Sequence, residues 1–281
     1  MTTTQTASVA GRGAYGFRLV GVDAAADLLV DAPGDWPALT LEHAPPPASR
    51  PRLDRLGPHR AELPLHGGSV TIEREPPRVT FRLPERPGAR DLVHPYLAPA
   101  AAVAARWARR ESFHAGAVIA GDGAWAILGD KESGKSTTLA HLALAGHGIV
   151  SDDLLVVDRD AVFAGPRCVD LRAASAAHLE AGEPLGVVGV RERWRLGLAA
   201  IPARVPLRGW VTLAWDDDVG VDVLRGADRV LALLPFRSVQ VTPDAPEDLV
   251  DLGSLPVLRL RRPRRWDALD AAAERLLAAV A

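Results

Sequence analysis

The chain has 281 residues, enough to bury a substantial core as one large domain or as a domain with an appendage. With 48% hydrophobic and 24% charged residues it has the make-up of a soluble globular protein, and a net charge of −2 without a long basic run argues against nucleic acid or an anionic membrane as partner. A single cysteine, Cys168, allows no internal disulfide and makes no metal site by itself; with neither a secretory signal nor a run of roughly 18 apolar residues, a cytoplasmic location is expected.

Residues 1–12 are small and polar and are expected to form a disordered tail. Residues 15–20 (YGFRLV) are a strand candidate, and 45–58, rich in proline and arginine, an irregular linker. Val70 and Ile72 alternate with polar neighbours over 69–73, and the pattern returns over 79–83 after Pro76-Pro77, which predicts a hairpin with one buried face. A small β-rich N-terminal part over 13–90 and a larger domain over 91–281 are therefore expected. Pro99 suits the first turn of a helix in which Val103 and Trp107 share a face. A strand over 113–120 then meets Gly121-Asp122-Gly123, a tight-turn signal, so 124–128 (AWAIL) reads as the second arm of a hairpin.

The stretch that follows organises the rest. Gly129-Asp130-Lys131-Glu132-Ser133-Gly134-Lys135-Ser136 fits G-x-x-x-x-G-K-[ST] between that strand and a helix over 137–144. Glycines let the backbone wrap an anion, and amides at a helix start point at its oxygens. The loop, with Thr137 behind it, is thus expected to hold the phosphates of ATP, Lys135 to meet the β/γ-phosphates, and Ser136 to offer a hydroxyl to Mg²⁺.

Residues 149–153 read as a short strand ending in Asp152 and Asp153, which lie 17 and 18 residues past Lys135, enough for one helix and a return strand. Carboxylates there could hold Mg²⁺ and accept a proton from an attacking hydroxyl. Further on, a hairpin is expected over 154–164 across Arg159-Asp160, a helix over 170–180, and a strand over 207–215 that turns at 216–220 into 221–224. A helix over 229–234, a strand over 257–260 and a helix over 266–281 follow, the last with Trp266, Leu269, Ala273, Leu276, Leu277 and Val280 on one face. The basic cluster 259–265, interrupted by Pro263, reads as a solvated strand end.

The order Ser112-Phe113-His114-Ala115-Gly116, glycine turn, AWAILGDKESGKSTT, helix, Gly146-His147-Gly148-Ile149-Val150-Ser151-Asp152-Asp153 resembles the bacterial HPr kinase/phosphorylase catalytic domain, closely over 112–158. The resemblance implies an α/β fold with a mixed-sheet core like the phosphoenolpyruvate carboxykinase nucleotide domain, behind the small β-rich part. It also implies that Asp152 is the catalytic carboxylate, Asp153 its metal-side partner, His114 a residue that orients or tunes Asp152, and His147 a family position better read as a helix end. The family's further signature, a glutamate and an arginine around Gly-Leu-Gly, is not matched by Gly165-Pro166-Arg167-Cys168-Val169-Asp170, which puts phosphorylase activity and HPr as substrate in doubt. In this the chain looks more like stand-alone HPr-kinase-like proteins of peptide natural-product pathways, including kinases of lasso-peptide precursors.

A kinase needs cations besides Lys135. Arg167 ranks first; Arg191, Arg193 and Arg195 alternate and would share a strand face. The expectation is an ATP- and Mg²⁺-dependent kinase acting on a serine hydroxyl of a peptide or protein, without nucleic acid or membrane, with self-association left open. The alternatives are a small-molecule kinase with the ordinary all-parallel sheet and a nucleotide-binding module without turnover.

Overall fold

The structure, a computed structural model, describes residues 11–46, 55–240 and 246–281; the first ten residues of the expected tail and most of the expected linker lie outside them. Eight strands form a first sheet: β1 (Gly11–Ala14), β2 (Phe17–Val20), β3 (Val30–Ala32), β4 (Ala38–Ala44), β5 (Arg55–Leu56), β6 (Arg60–Leu65), β7 (Gly68–Glu73) and β8 (Arg78–Arg82), in the order β3-β1-β2-β4-β8-β7-β6-β5. The expected hairpin is β7 against β8, with Val70, Ile72, Val79 and Phe81 buried. Gly11 and Arg12 belong to a strand, and the strand expected from residue 15 begins at Phe17. Tyr15 and Gly16 both have positive φ (59° and 81°) and form the two-residue turn between β1 and β2, a geometry whose twist matches that of the strands it joins.

A short helix α1 (Ala89–Asp91) and an irregular turn over Leu92–Tyr96 lead into α2 (Leu97–Trp107), with Pro99 in its first turn. The alanine-rich α2 packs into the core of the first sheet, so that core runs on through Ala105 and also takes in Val156, Phe163 and Cys168 from beyond.

The second sheet carries the phosphate-loop motif. Its strands are β9 (Glu111–Phe113), β10 (Ala115–Ala120), β11 (Gly123–Leu128), β12 (Ile149–Ser151), β13 (Leu155–Asp158), β14 (Ala161–Phe163), β18 (Arg204–Trp215), β19 (Gly220–Val223) and β20 (Val257–Arg262). A small third sheet is built from β15 (Cys168–Leu171), β16 (Glu183–Val188) and β17 (Arg191–Gly197). The helices are α3 (Lys135–Leu144), α4 (Ala173–Leu179), α5 (Ala227–Leu233), α6 (Pro246–Ser254) and α7 (Leu269–Val280). The protein is thus a mixed α/β fold. Strand β11 pairs antiparallel with β10 and parallel with β18, and β18 pairs parallel with β20. Trp125 and Ile127 of β11 enter a core shared with α3 and α7, while Ala124, Ala126 and Leu128 enter the core on the opposite face. Burial on both faces is why this strand reads as an unbroken apolar run. Among the described residues no helix is long and apolar enough to cross a membrane.

Several expected elements change shape. The strand expected over 113–120 breaks at His114, so that β9 pairs with β13 while β10 pairs with β11 and β12. Asp170 and Leu171 end a strand, and the helix there is confined to α4. The acidic turn after β18 does not make a hairpin: β20 inserts between β18 and β19. At the C-terminus Trp266 opens a 3₁₀ turn and is 44% exposed, while Leu269, Ala273, Leu276 and Val280 are buried.

Candidate functional site

The loop from Gly129 joins the end of β11 to the start of α3. Gly134 adopts φ 84° immediately before Lys135, a conformation that costs glycine little, and a Cβ there would run into the guanidinium of Arg262. Among the described residues no side chain caps the start of α3. Its first-turn amides therefore face outward with the positive end of the helix dipole, an arrangement suited to an anion.

Behind the loop, the N–H of Ser133 donates to Asp130 O (3.0 Å), and Arg262 donates from a guanidinium nitrogen to Ser133 O at 2.9 Å. Arg262 is 5% exposed and has no carboxylate partner among the described residues, and burial pushes its pKa down to about 10. Glu132 bends outward to pair with Arg172 at 3.0 Å. Thr137 turns its hydroxyl to Ser175 (2.8 Å) on α4.

The buried Lys135 extends to His114, Nζ to Nε2 at 3.0 Å, and its burial lowers its pKa against the opposing pull of Asp152 and Asp153. Ser136 Oγ donates to Asp152 Oδ1 at 3.1 Å. Burial raises the Asp152 carboxyl, and Lys135 acts in the other direction. Asp153, at φ 72°, turns away from the line of β12, and its carboxylate lies between two imidazoles: His114 Nδ1 at 3.3 Å and His94 Nδ1 at 3.5 Å. His114 Nδ1 also lies 2.9 Å from Asp153 O. Expected as a partner of Asp152, His114 instead meets Asp153 and Lys135. The break between β9 and β10 turns it there, its own N–H donating to Phe236 O.

These groups line one cavity of about 630 Å³ together with Arg191 and Arg193 of β17. Arg195, the third of that alternating series, is buried against Asp170 by two hydrogen bonds of 2.7 and 2.8 Å. Arg167 does not join them. Its guanidinium donates to Asp27 O and its backbone N–H to Leu28 O, which anchors it to the N-terminal part, and it does not line the cavity. Cys168 is buried with its thiol pushed up to about 12, so it offers no nucleophile.

Sequence reasoning missed His94, Arg172, Trp215, Arg262, Arg264 and Trp266, all of which line the cavity. The basic run 259–265 was a visible signal for two of them; His94, in the irregular turn before α2, left none.

No family model and no curated protein matches the chain. Among solved structures it is similar to the HPr(Ser) kinase/phosphatase from Coxiella burnetii, at 12% identity and a TM-score of 0.30, over 60% of this chain and 95% of that one. A likeness this slight says nothing about the chemistry.

Proposed function

We propose that the chain is an ATP- and Mg²⁺-dependent kinase with an HPr-kinase-like core, transferring the γ-phosphoryl group to a hydroxyl, that of a serine in a peptide or protein such as a natural-product precursor. The observation that carries this reading is the contact between Ser136 Oγ and Asp152 Oδ1 at 3.1 Å, which joins the phosphate loop's hydroxyl to the carboxylate pair. A glycine turn that caps a helix for packing alone has no use for a buried lysine, a hydroxyl and two carboxylates on one cavity. The antiparallel hairpin of β10 and β11 fits the mixed-sheet kinases that the motif order resembles, and departs from the all-parallel arrangement of ordinary small-molecule kinases.

The donor set fits magnesium. A hydroxyl and adjacent carboxylates are hard oxygen ligands, and Mg²⁺ is commonly held by one or two carboxylates together with phosphate oxygens rather than by an all-protein cage. Ser136 and Asp153 would hold it, and the bound ion would neutralise charge on the β- and γ-phosphates. The loop amides and Lys135 would fix the triphosphate. Asp152 would accept the proton of the attacking hydroxyl.

Incubation with ATP and Mg²⁺ and mass analysis of candidate serine peptides tests this directly. A gain of one phosphoryl group is expected; nucleotide binding without turnover would support the non-catalytic module. Asp152→Asn is expected to keep Mg·ATP affinity while losing about 10²- to 10⁴-fold in transfer. The Ser136–Asp152 contact favours a second reading, in which the two aspartates exchange roles. In that case Asp152→Asn weakens magnesium binding and Asp153→Asn carries the loss of transfer.

A further inference from the structure

Across the second sheet the strands run β12-β10-β11-β18, with β20 on the far side of β18. The phosphate loop leaves the end of β11, so the sheet places Asp152 and Asp153, after β12, on one side of it and the ends of β18 and β20 on the other. Adjacent strands are about 4.8 Å apart, so β12 and β18 are separated by roughly 14 Å. An acceptor hydroxyl must approach the carboxylate side. With the loop read as a donor site, the part of the cavity beyond it, over β18 and β20, is left for the non-reacting end of the donor.

That end is aromatic. Trp215 stands three residues beyond Thr212, which pairs with the last residue of β11, and so projects past the sheet beside the loop. Its Cη2 atom lies 3.5 Å from the place a Gly134 Cβ would take. The guanidinium of Arg262, its partner in the parallel register, lies 4.8 Å from the indole centroid, and that of Arg264 lies 5.7 Å away. Trp266, at the start of the last helical segment, stacks one face on His178 at 4.5 Å and 19°. The two indoles are 41% and 44% exposed, and both line the cavity that contains Lys135 and Asp152. Each half-exposed indole keeps part of its flat apolar surface open to the cavity, and the guanidinium of Arg264, over the Trp215 ring, makes no hydrogen bond among the described residues. A heteroaromatic ring rich in acceptors satisfies both, by stacking and by accepting at its edge.

We propose that Trp215 and Trp266 form a stacking subsite for the nucleobase of the phosphoryl donor, with Arg264 at the edge of the ring and Arg262 holding Trp215 against the phosphate loop. The proposal rests on the reading of the loop as a nucleotide site.

The test titrates the whole protein, in the presence of Mg²⁺, with ATP and separately with inorganic tripolyphosphate, which has the phosphates and no base. The wild-type chain is expected to bind ATP about tenfold more tightly than tripolyphosphate, the scale of one base–aromatic stack. Trp266→Ala, away from the phosphate loop, is expected to lose that margin while binding tripolyphosphate as before, Trp215→Ala to lose at least as much ATP affinity, and Trp266→Phe, which keeps a stacking face, to retain most of the margin. Unchanged ATP affinity in both alanine variants, or equal affinity of the wild type for the two ligands, overturns the subsite while leaving the phosphate site standing. If the wild type binds neither ligand, the reading of the loop falls and the subsite with it.

Discussion

Asp153 is the residue whose surroundings say most about the site. Its positive φ turns the chain out of β12, and the imidazoles of His94 and His114 then close on its carboxylate. His114 comes from the break between two strands of the second sheet, whereas His94 comes from the turn ahead of α2, whose Leu92, Val93 and Tyr96 pack in the core of the first. The contact at His94 therefore ties the carboxylate pair to a part of the chain that carries no loop chemistry of its own. If Asp153 holds magnesium as proposed, a residue that orients its carboxylate is expected to matter 10- to 100-fold. His94→Ala is accordingly expected to raise the magnesium concentration for half-maximal transfer about tenfold with little change in the affinity for tripolyphosphate. An unchanged magnesium dependence would show that the 3.5 Å contact does not position Asp153.

At the scale of elements, a buried ion pair joins two strands of the small third sheet beside the cavity. Asp170 on β15 and Arg195 on β17 are almost fully enclosed, and Arg195 also donates to Arg90 O at 3.0 Å. Removing one partner leaves the other charge buried and unpaired, so Asp170→Asn or Arg195→Met is expected to cost about 3–5 kcal/mol, read as a lowered midpoint in chemical denaturation. Replacing both by apolar residues of similar size is expected to cost much less. A single replacement within about 0.5 kcal/mol of wild type would mean that the pair is solvated in solution.

What the sequence disclosed about these elements follows from how local each signal is. Gly121-Asp122-Gly123 announces the hairpin of β10 and β11 because the turn chemistry lies within three residues. The G-x-x-x-x-G-K-S spacing and the two aspartates announce the loop and its carboxylates in the same way. The break at His114 is silent, since Phe113 and Ala115 are apolar on either side and only the pairing partners differ. The place of β20 between β18 and β19 is silent too: Asp216, Asp217 and Asp218 make as good a turn for a hairpin as for a crossover, and parallel pairing leaves no mark in neighbouring residues. Arg262 looked like a solvated strand end because burial of a guanidinium is decided by a tryptophan and a loop far away in sequence. Arg167 misled for the opposite reason: it follows the right turn, and a carbonyl of the N-terminal part claims it.

Over the whole molecule, the mixed sheet sets out one line of chemistry. Carboxylates stand beyond β12, the glycine loop stands over β11, and indoles and guanidiniums stand beyond β18 and β20. Parallel neighbours on one side of β11 bring three strand ends to the loop, and the antiparallel hairpin on the other side leaves room for β12 to return with Asp152 and Asp153. On the function proposed above, an extended nucleoside triphosphate would lie along this line with its reacting end toward β12. A structure of the protein with Mg²⁺ and a non-hydrolysable ATP analogue tests that placement most directly. The account predicts the β- and γ-phosphates on the amides before α3, the metal on Ser136 Oγ, and the γ-phosphate facing the Asp152–Asp153 pair; an analogue bound elsewhere, or one lying with its γ-phosphate toward Trp215, would contradict it.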